Sequence, residues 1–148
     1  MRRVLASLIV VAGLALVVAP TGSAAGGAAT VKTRHGKLGT FLVGTNGRTL
    51  YLFEKDTKNK SKCSGACAAN WPPALVSGKP KAGGKAVASK LGTTKRSDGK
   101  TQVTYNGHPL YTFVIDNNKP GSTKGEGVNA FGAKWYVVGT NGKKIDKD

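Results

Sequence analysis

Acidic residues are scarce in this chain: seven Asp and Glu stand against 23 Lys and Arg, a formal charge of +16 over 148 residues. Histidine is scarcer still, with only His35 and His108, and cysteine is limited to Cys63 and Cys67. With so few histidines, none spaced to partner a nucleophile, a Ser-His-Asp type of triad has no members to draw on. No glycine run leads into a helix, which removes the phosphate-cradling loops of nucleotide enzymes. An enzyme is therefore not expected, and no cofactor is expected either. Methionine occurs only as Met1, so a soft-metal site would lack a thioether ligand. Outside the N-terminal stretch no segment sustains a 3.6-residue apolar period, which argues against a helical architecture. Helix-turn-helix, zinc-finger and RNA-binding aromatic signatures are all missing, and specific nucleic-acid recognition is not expected.

What is present begins with an address. Met1, Arg2 and Arg3 precede an apolar run from Val4 to Val18, followed by small residues to Ala25. That is the order of a secretory signal peptide, expected over 1–25 with cleavage near Ala24 or Ala25. The run is shorter than the roughly 20 apolar residues a spanning helix wants. No cysteine follows it closely, so no lipid anchor is expected. Removal of 1–25 leaves 21 basic residues against 7 acidic ones, a formal charge of +14. Lysine supplies 18 of the 21, scattered at positions such as Lys58, Lys60, Lys62, Lys79, Lys81, Lys85, Lys119 and Lys124. Scattered lysine creates a diffuse positive field, whereas planar bidentate recognition of phosphate prefers arginine, here only Arg34, Arg48 and Arg96. The expected partners are anionic cell-wall polymers or another envelope protein, and the expected location is extracellular and cell-wall associated.

Two stretches organise the remainder. Asn46 to Asp56 and Asn106 to Asp116 each read N-G-x-x-L-Y-x-F-x-x-D, six identities in eleven positions, sixty residues apart. Such agreement indicates an internal duplication. Asn-Gly between strand formers is a strong hairpin signal, because both central residues of a type I′ turn need positive φ. Counting outward from the turns sets Val43 against Leu50, Val103 against Leu110 and, around Asn141-Gly142, Val138 against Ile145. Pro109 then falls in the pair next to the turn pair, where a missing N–H costs little. Tyr51 and Phe53 lie on one face of their strand and Leu50 and Leu52 on the other, so this strand is expected inside the core. Residues 26–37 read as a flexible tether containing His35. The rest reads as one all-β domain over 38–148, with repeat one at 38–76, a Pro- and Gly-containing linker at 77–85 and repeat two at 86–148. Repeat two should contain a three-stranded meander with turns at Asp98-Gly99 and Asn106-Gly107. Ala66 to Asn70 is expected to make one helical turn, ended by Pro72 and Pro73.

The elements Tyr51-x-Phe53-x-x-Asp56 and Tyr111-x-Phe113-x-x-Asp116 resemble the Yx(FWY)xxD motif of the bacterial secreted repeats of unknown function, a lipoprotein-like family. Cys63-x-x-x-Cys67 followed by Trp71-Pro72-Pro73 resembles the first repeat of that family, and Gln102 to Tyr111 its second. The resemblance spans Leu38 to Val138 and implies a cell-envelope address. It brings no reaction with it.

Three sets of residues carry any chemistry there is. Asp56 and Asp116 share parity with Leu50 and Leu110, so their carboxylates should leave on the face opposite Tyr51 and Phe53. They are expected to cap turns; the alternatives are a paired cation site or an acid/base pair. Tyr51, Phe53, Trp71, Tyr111, Phe113 and Trp135 form either an aromatic core shared by the repeats or a stacking surface for a glycan or porphyrin. Cys63 and Cys67, four apart in a compartment that oxidises thiols, are expected to form a disulfide, with redox exchange or soft-metal binding as the alternative. That alternative would make the chain a redox or metal-handling envelope protein rather than an adhesive module, with the paired aspartates holding a cation.

Overall fold

The computed structural model describes residues 30–147. The expected leader 1–25 and residues 26–29 lie outside the described residues. Nine short strands and one α-helical turn follow in the order β1 (Thr30–Gly36), β2 (Gly39–Val43), β3 (Tyr51–Phe53), α1 (Ala66–Asn70), β4 (Lys81–Ala82), β5 (Leu91–Lys95), β6 (Thr101–Tyr105), β7 (His108–Pro109), β8 (Asn129–Ala130) and β9 (Ala133–Val137), with 3-10 turns at Ala88–Lys90 and Val114–Asp116. They form three small sheets with strand orders β2-β1-β4, β3-β9-β8 and β5-β6-β7. The all-β architecture, the meander β5-β6-β7 and the single turn of α1 agree with the sequence.

Period-2 alternation divides the core into two layers. Phe41, Val43, Tyr51, Phe53, Tyr111, Trp135 and Val137 belong to one buried cluster. Their chain neighbours Leu42, Leu50, Leu52, Leu110, Tyr136 and Val138 belong to the other. The apolar runs Phe41 to Val43 in β2, Tyr51 to Phe53 in β3 and Trp135 to Val137 in β9 are thus buried on both faces, as consecutive apolar residues require. Three main-chain bonds close a ring where these strands meet: Leu42 N–H to Val138 O (2.9 Å), Val138 N–H to Leu50 O (3.3 Å) and Leu50 N–H to Leu42 O (3.0 Å). β3 comes from the first motif, yet its ladder partner is β9 at the end of the chain, with Tyr51 opposite Val137, Leu52 opposite Tyr136 and Phe53 opposite Trp135. The repeats interleave, and neither could bury its own apolar face alone.

Several expectations are corrected. The stretch expected as a tether is largely strand: β1 pairs antiparallel with β2, from Lys32 opposite Val43 to Gly36 opposite Gly39, and His35 sits exposed within it. Only Val31 of β1 is buried, so the apolar signal was one residue deep. The expected linker supplies β4, which pairs in parallel with β1, and Pro80 is buried. Two of the three hairpins also shift by one residue: Val43 faces Thr49 and Val138 faces Lys144. Their loops have three residues, closed by Gly44 N–H to Arg48 O (2.8 Å) and Gly139 N–H to Lys143 O (2.9 Å). Gly47 and Gly142 take the left-handed position at φ 79°, which a type I turn with a bulge requires. Only Asn106-Gly107, at φ 51° and 80°, makes the two-residue turn, and there Val103 does face Leu110, linked by Leu110 N–H to Val103 O at 3.0 Å.

Candidate functional site

The two motif tyrosines meet at the middle of the molecule. Tyr51 and Tyr111 exchange both main-chain bonds, Tyr51 N–H to Tyr111 O at 2.9 Å and Tyr111 N–H to Tyr51 O at 3.0 Å. Their side chains then cross between repeats. The Tyr51 hydroxyl donates to Asp116 Oδ2 at 2.7 Å, and the Tyr111 hydroxyl donates to Asp56 Oδ2 at 2.7 Å. Each tyrosine therefore serves the aspartate of the other copy.

The aspartates reach this position because the strand does not continue to them. After Phe53 and Phe113 the chain tightens into a turn, with Asp56 N–H bonded to Phe53 O (3.0 Å) and Asp116 N–H to Phe113 O (3.2 Å). Strand parity ends at the phenylalanine, and the carboxylates swing back onto the tyrosine side, contrary to the expected opposite face. Capping, the expected role, is also present: Asp56 Oδ1 accepts the Lys62 N–H at 2.6 Å, and Asp116 Oδ1 accepts the Lys124 N–H at 3.0 Å and the Ser122 hydroxyl at 2.7 Å. The two carboxylates are spent on different tyrosines. Among the described residues no group of three or more His, Cys, Asp or Glu is arranged to hold a metal ion.

The remaining motif aromatics form a continuous stack between the tyrosines. Phe53 lies on Trp135 (4.0 Å between ring centroids), Trp135 on Trp71 (4.0 Å) and Trp71 on Phe113 (3.9 Å). Tyr51 meets Trp71 edge-on at 5.4 Å, and Tyr111 meets Trp135 edge-on at 5.1 Å. The order Phe, Trp, Trp, Phe has the symmetry of the duplication, with one Phe and one Trp from each copy. Trp71 is 1 % exposed and Trp135 0 %, so no ring face is open to a glycan or porphyrin. The edge-on pairs each add about 0.5–1.5 kcal/mol beyond the area they bury.

Cys63 and Cys67 are joined in a disulfide with a Cα–Cα distance of 5.2 Å, and both pack in the aromatic layer. The bridged sulfurs present no thiolate to a metal. The turn that brings them together leads into α1, with Cys67 N–H bonded to Ser64 O (3.2 Å), and Trp71 N–H bonds to Cys67 O at the helix end (2.8 Å).

Electrostatics differ between the two ends. Burial pushes the Asp56 carboxyl up to about 6, against the opposing effects of the Lys62 N–H, the Tyr111 hydroxyl and the Arg96 charge. Burial, and then the neighbouring carboxylate, raise both phenols well above the ordinary range, so each tyrosine stays a protonated donor. At the Asp56 end the network continues inward. The Ser61 hydroxyl lies 2.7 Å from the Tyr111 oxygen; the phenol proton being given to Asp56, Ser61 is the donor of this bond. Buried Arg96 donates to Ser61 Oγ (2.9 Å), Gln102 Oε1 (2.7 Å) and Cys63 O (2.6 Å). Gln102 in turn donates to Leu110 O (2.8 Å). At the Asp116 end a glycine takes the corresponding place: Gly125 N–H donates to the Tyr51 oxygen at 3.3 Å.

Sequence reasoning missed Ser61, Arg96, Gln102, Ser122 and Gly125. Signals existed for two of them, since a serine follows each motif aspartate by five or six residues, at Ser61 and Ser122. His108 is half-buried in β7, its imidazole shifted down by burial, and it borders a cleft of about 590 Å³ with Asp56, Glu54 and Lys144.

A duplicated, interlocked β domain with a crossed tyrosine–aspartate pair defines the class. The family model described as "secreted repeat of unknown function" matches residues 32–75 and 92–139, and the chain belongs to that family. The matched stretches hold every residue of the crossed pairs and of the aromatic stack. No curated protein and no solved structure matches the chain significantly.

Proposed function

We propose that the chain is an exported, non-enzymatic module of the cell envelope that associates with anionic polymers through its lysine-bearing loops, or through them with an envelope partner. The observation that carries this reading is a division of labour by depth. The motif tyrosines, phenylalanines and Asp116 are buried and Asp56 is half-buried, with each tyrosine hydrogen-bonded to an aspartate, while every lysine among the described residues is exposed except half-buried Lys90. Protonated, donating tyrosines are poor nucleophiles, and both carboxylates are already engaged by tyrosine and main-chain donors, which supports a non-enzymatic role. Attraction between the exported chain, with a formal charge of +14 once 1–25 is removed, and a polyanion acts over about 8–10 Å at physiological salt and is broad in chemistry.

Retention of the protein on purified cell wall across a salt series tests the reading. Affinity should fall steeply as salt rises, because released counterions drive such binding. Replacing Lys58, Lys60, Lys62 and Lys79 together should weaken binding to every polyanion and flatten the salt dependence. Lys62 holds Asp56 through its main-chain N–H, so its side chain can be changed without breaking that bond. Binding that survives near-molar salt would overturn the electrostatic account.

A further inference from the structure

Two sheets of this fold end in open edges on the same cleft. β4 is the outer strand of β2-β1-β4 and β5 the outer strand of β5-β6-β7, and both border a cleft of about 810 Å³. The register shows which main-chain groups are free. Thr93 stands opposite Val103, whose N–H is given to Ala74 O (2.8 Å) and whose carbonyl accepts the Leu110 N–H (3.0 Å), both away from β5. The Thr93–Val103 pair is therefore of the non-hydrogen-bonded kind, and the Thr93 N–H and C=O point outward from the sheet. On the facing edge Ala82 stands opposite Val31, while Val31 O accepts from the next residue, Gly83 N–H, at 2.8 Å. In a parallel ladder this directs the Ala82 main-chain groups away from β1. Neither Thr93 nor Ala82 has another hydrogen-bond partner among the described residues.

The cleft has an apolar lining of Pro80, Ala82, Ala88 and Leu91, and its only charged lining residues are Lys79 and Lys81, both exposed. Lys95 closes the far end of β5. An open edge pairs with any extended chain that fits, and lysines on it repel a second copy of this basic protein. They attract an acidic strand instead. We propose that this cleft takes an extended acidic peptide segment of an envelope protein, added as a strand along β5 and closing against β4. Main-chain bonds to β5 give affinity, alternate apolar side chains pack on Leu91 and Pro80, and acidic ones meet Lys79 and Lys81. β5 is five residues long and sets the length of the paired segment at about five residues. This inference rests on the envelope-partner side of the proposed function and names the partner's chemistry.

The probe is a synthetic ten-residue peptide alternating Glu with Val, measured by fluorescence anisotropy at physiological salt. Controls are the same peptide N-methylated at alternate amides, in each of the two phases, and heparin. The expected result is binding of the unmethylated peptide, at least tenfold loss for the phase whose amides face β5, and slowed hydrogen exchange of the Thr93 amide. Thr93→Pro removes the outward donor at an edge position that tolerates proline and should weaken the peptide at least tenfold while leaving heparin binding unchanged. Lys79→Glu combined with Lys81→Glu should weaken it by a similar factor, and this variant and the methylated peptides decide the matter if Thr93→Pro fails to fold. Equal binding of all three peptides, or unchanged exchange at Thr93, would overturn the proposal. Loss of the peptide interaction alongside salt-sensitive wall retention removes only the strand site; loss of wall retention alone removes only the polymer reading.

Discussion

The hydroxyl of Tyr51 lies 2.7 Å from Oδ2 of Asp116, a residue 65 positions away in the other copy of the motif, and the pair Tyr111–Asp56 repeats the contact in reverse. The motif is a clasp between repeats, and its two identical halves make sense only together. Hydrogen bonds to charged groups are worth about 1.5–3 kcal/mol, more than enough to matter in a domain of such short strands.

The two aspartates should not be equivalent. Asp116 is 3 % exposed and accepts from Tyr51, Ser122 and Lys124, whereas Asp56 is only half-buried. Asp116→Asn is expected to cost about 2–3 kcal/mol, because an amide cannot accept at both positions without turning a donor onto one of its donors. Asp56→Asn should cost less than Asp116→Asn. Urea unfolding of both variants at neutral pH checks the order.

The pH dependence follows from Asp56. Its carboxyl rises from 3.8 to about 6 on folding because burial disfavours the charged form. The folded state therefore holds the proton more tightly. The stability this contributes is complete below about 3.8 and is lost as pH rises through about 6. Relative to Asp56→Asn, the parent protein should lose stability between pH 4 and pH 7. Paired denaturation curves across that range measure the difference, and a difference that does not change with pH would contradict the assignment.

Gly125 is needed for close approach. A Cβ there would stand 2.7 Å from Tyr51 Cε1 and 2.8 Å from Trp71 Cη2, in the middle of the buried stack. Gly125→Ala should destabilise by about 1–3 kcal/mol and alter tryptophan fluorescence in the folded state. An unchanged melting temperature with unchanged emission would show that the stack yields freely.

The disulfide closes a small ring, and its removal should cost about 2 kcal/mol at most through the unfolded chain. Cys63→Ser with Cys67→Ser should stay folded, since the Cys63 carbonyl that Arg96 binds is main chain. Thermal melts check this, together with Ellman's reagent on unfolded, unreduced protein, which should find no thiols.

Much of this arrangement was legible from local pattern. The opposite faces of Leu50, Tyr51, Leu52 and Phe53 follow from period-2 alternation, and the turn at Asn106-Gly107 from its own two residues. Asn46-Gly47 and Asn141-Gly142 misled because the same dipeptide also suits a three-residue loop, in which only the glycine takes positive φ. β1 leaves no mark in the sequence pattern, because a single buried valine among polar residues carries no period. The direction of Asp56 and Asp116 does not follow from alternation, because the strand ends at the phenylalanine and a turn follows. Arg96 reaches Ser61 and Cys63 across more than thirty residues of chain, and no local pattern announces such a contact.

The central claim, that the motif's tyrosine and aspartate fasten one repeat to the other, is tested most directly by a double-mutant cycle on Tyr51→Phe and Asp116→Asn, read as unfolding free energies at neutral pH. The clasp predicts that the two changes are far from additive, with a coupling energy of about 1.5–3 kcal/mol between residues from different repeats. Single effects that add to within about 0.5 kcal/mol would contradict it.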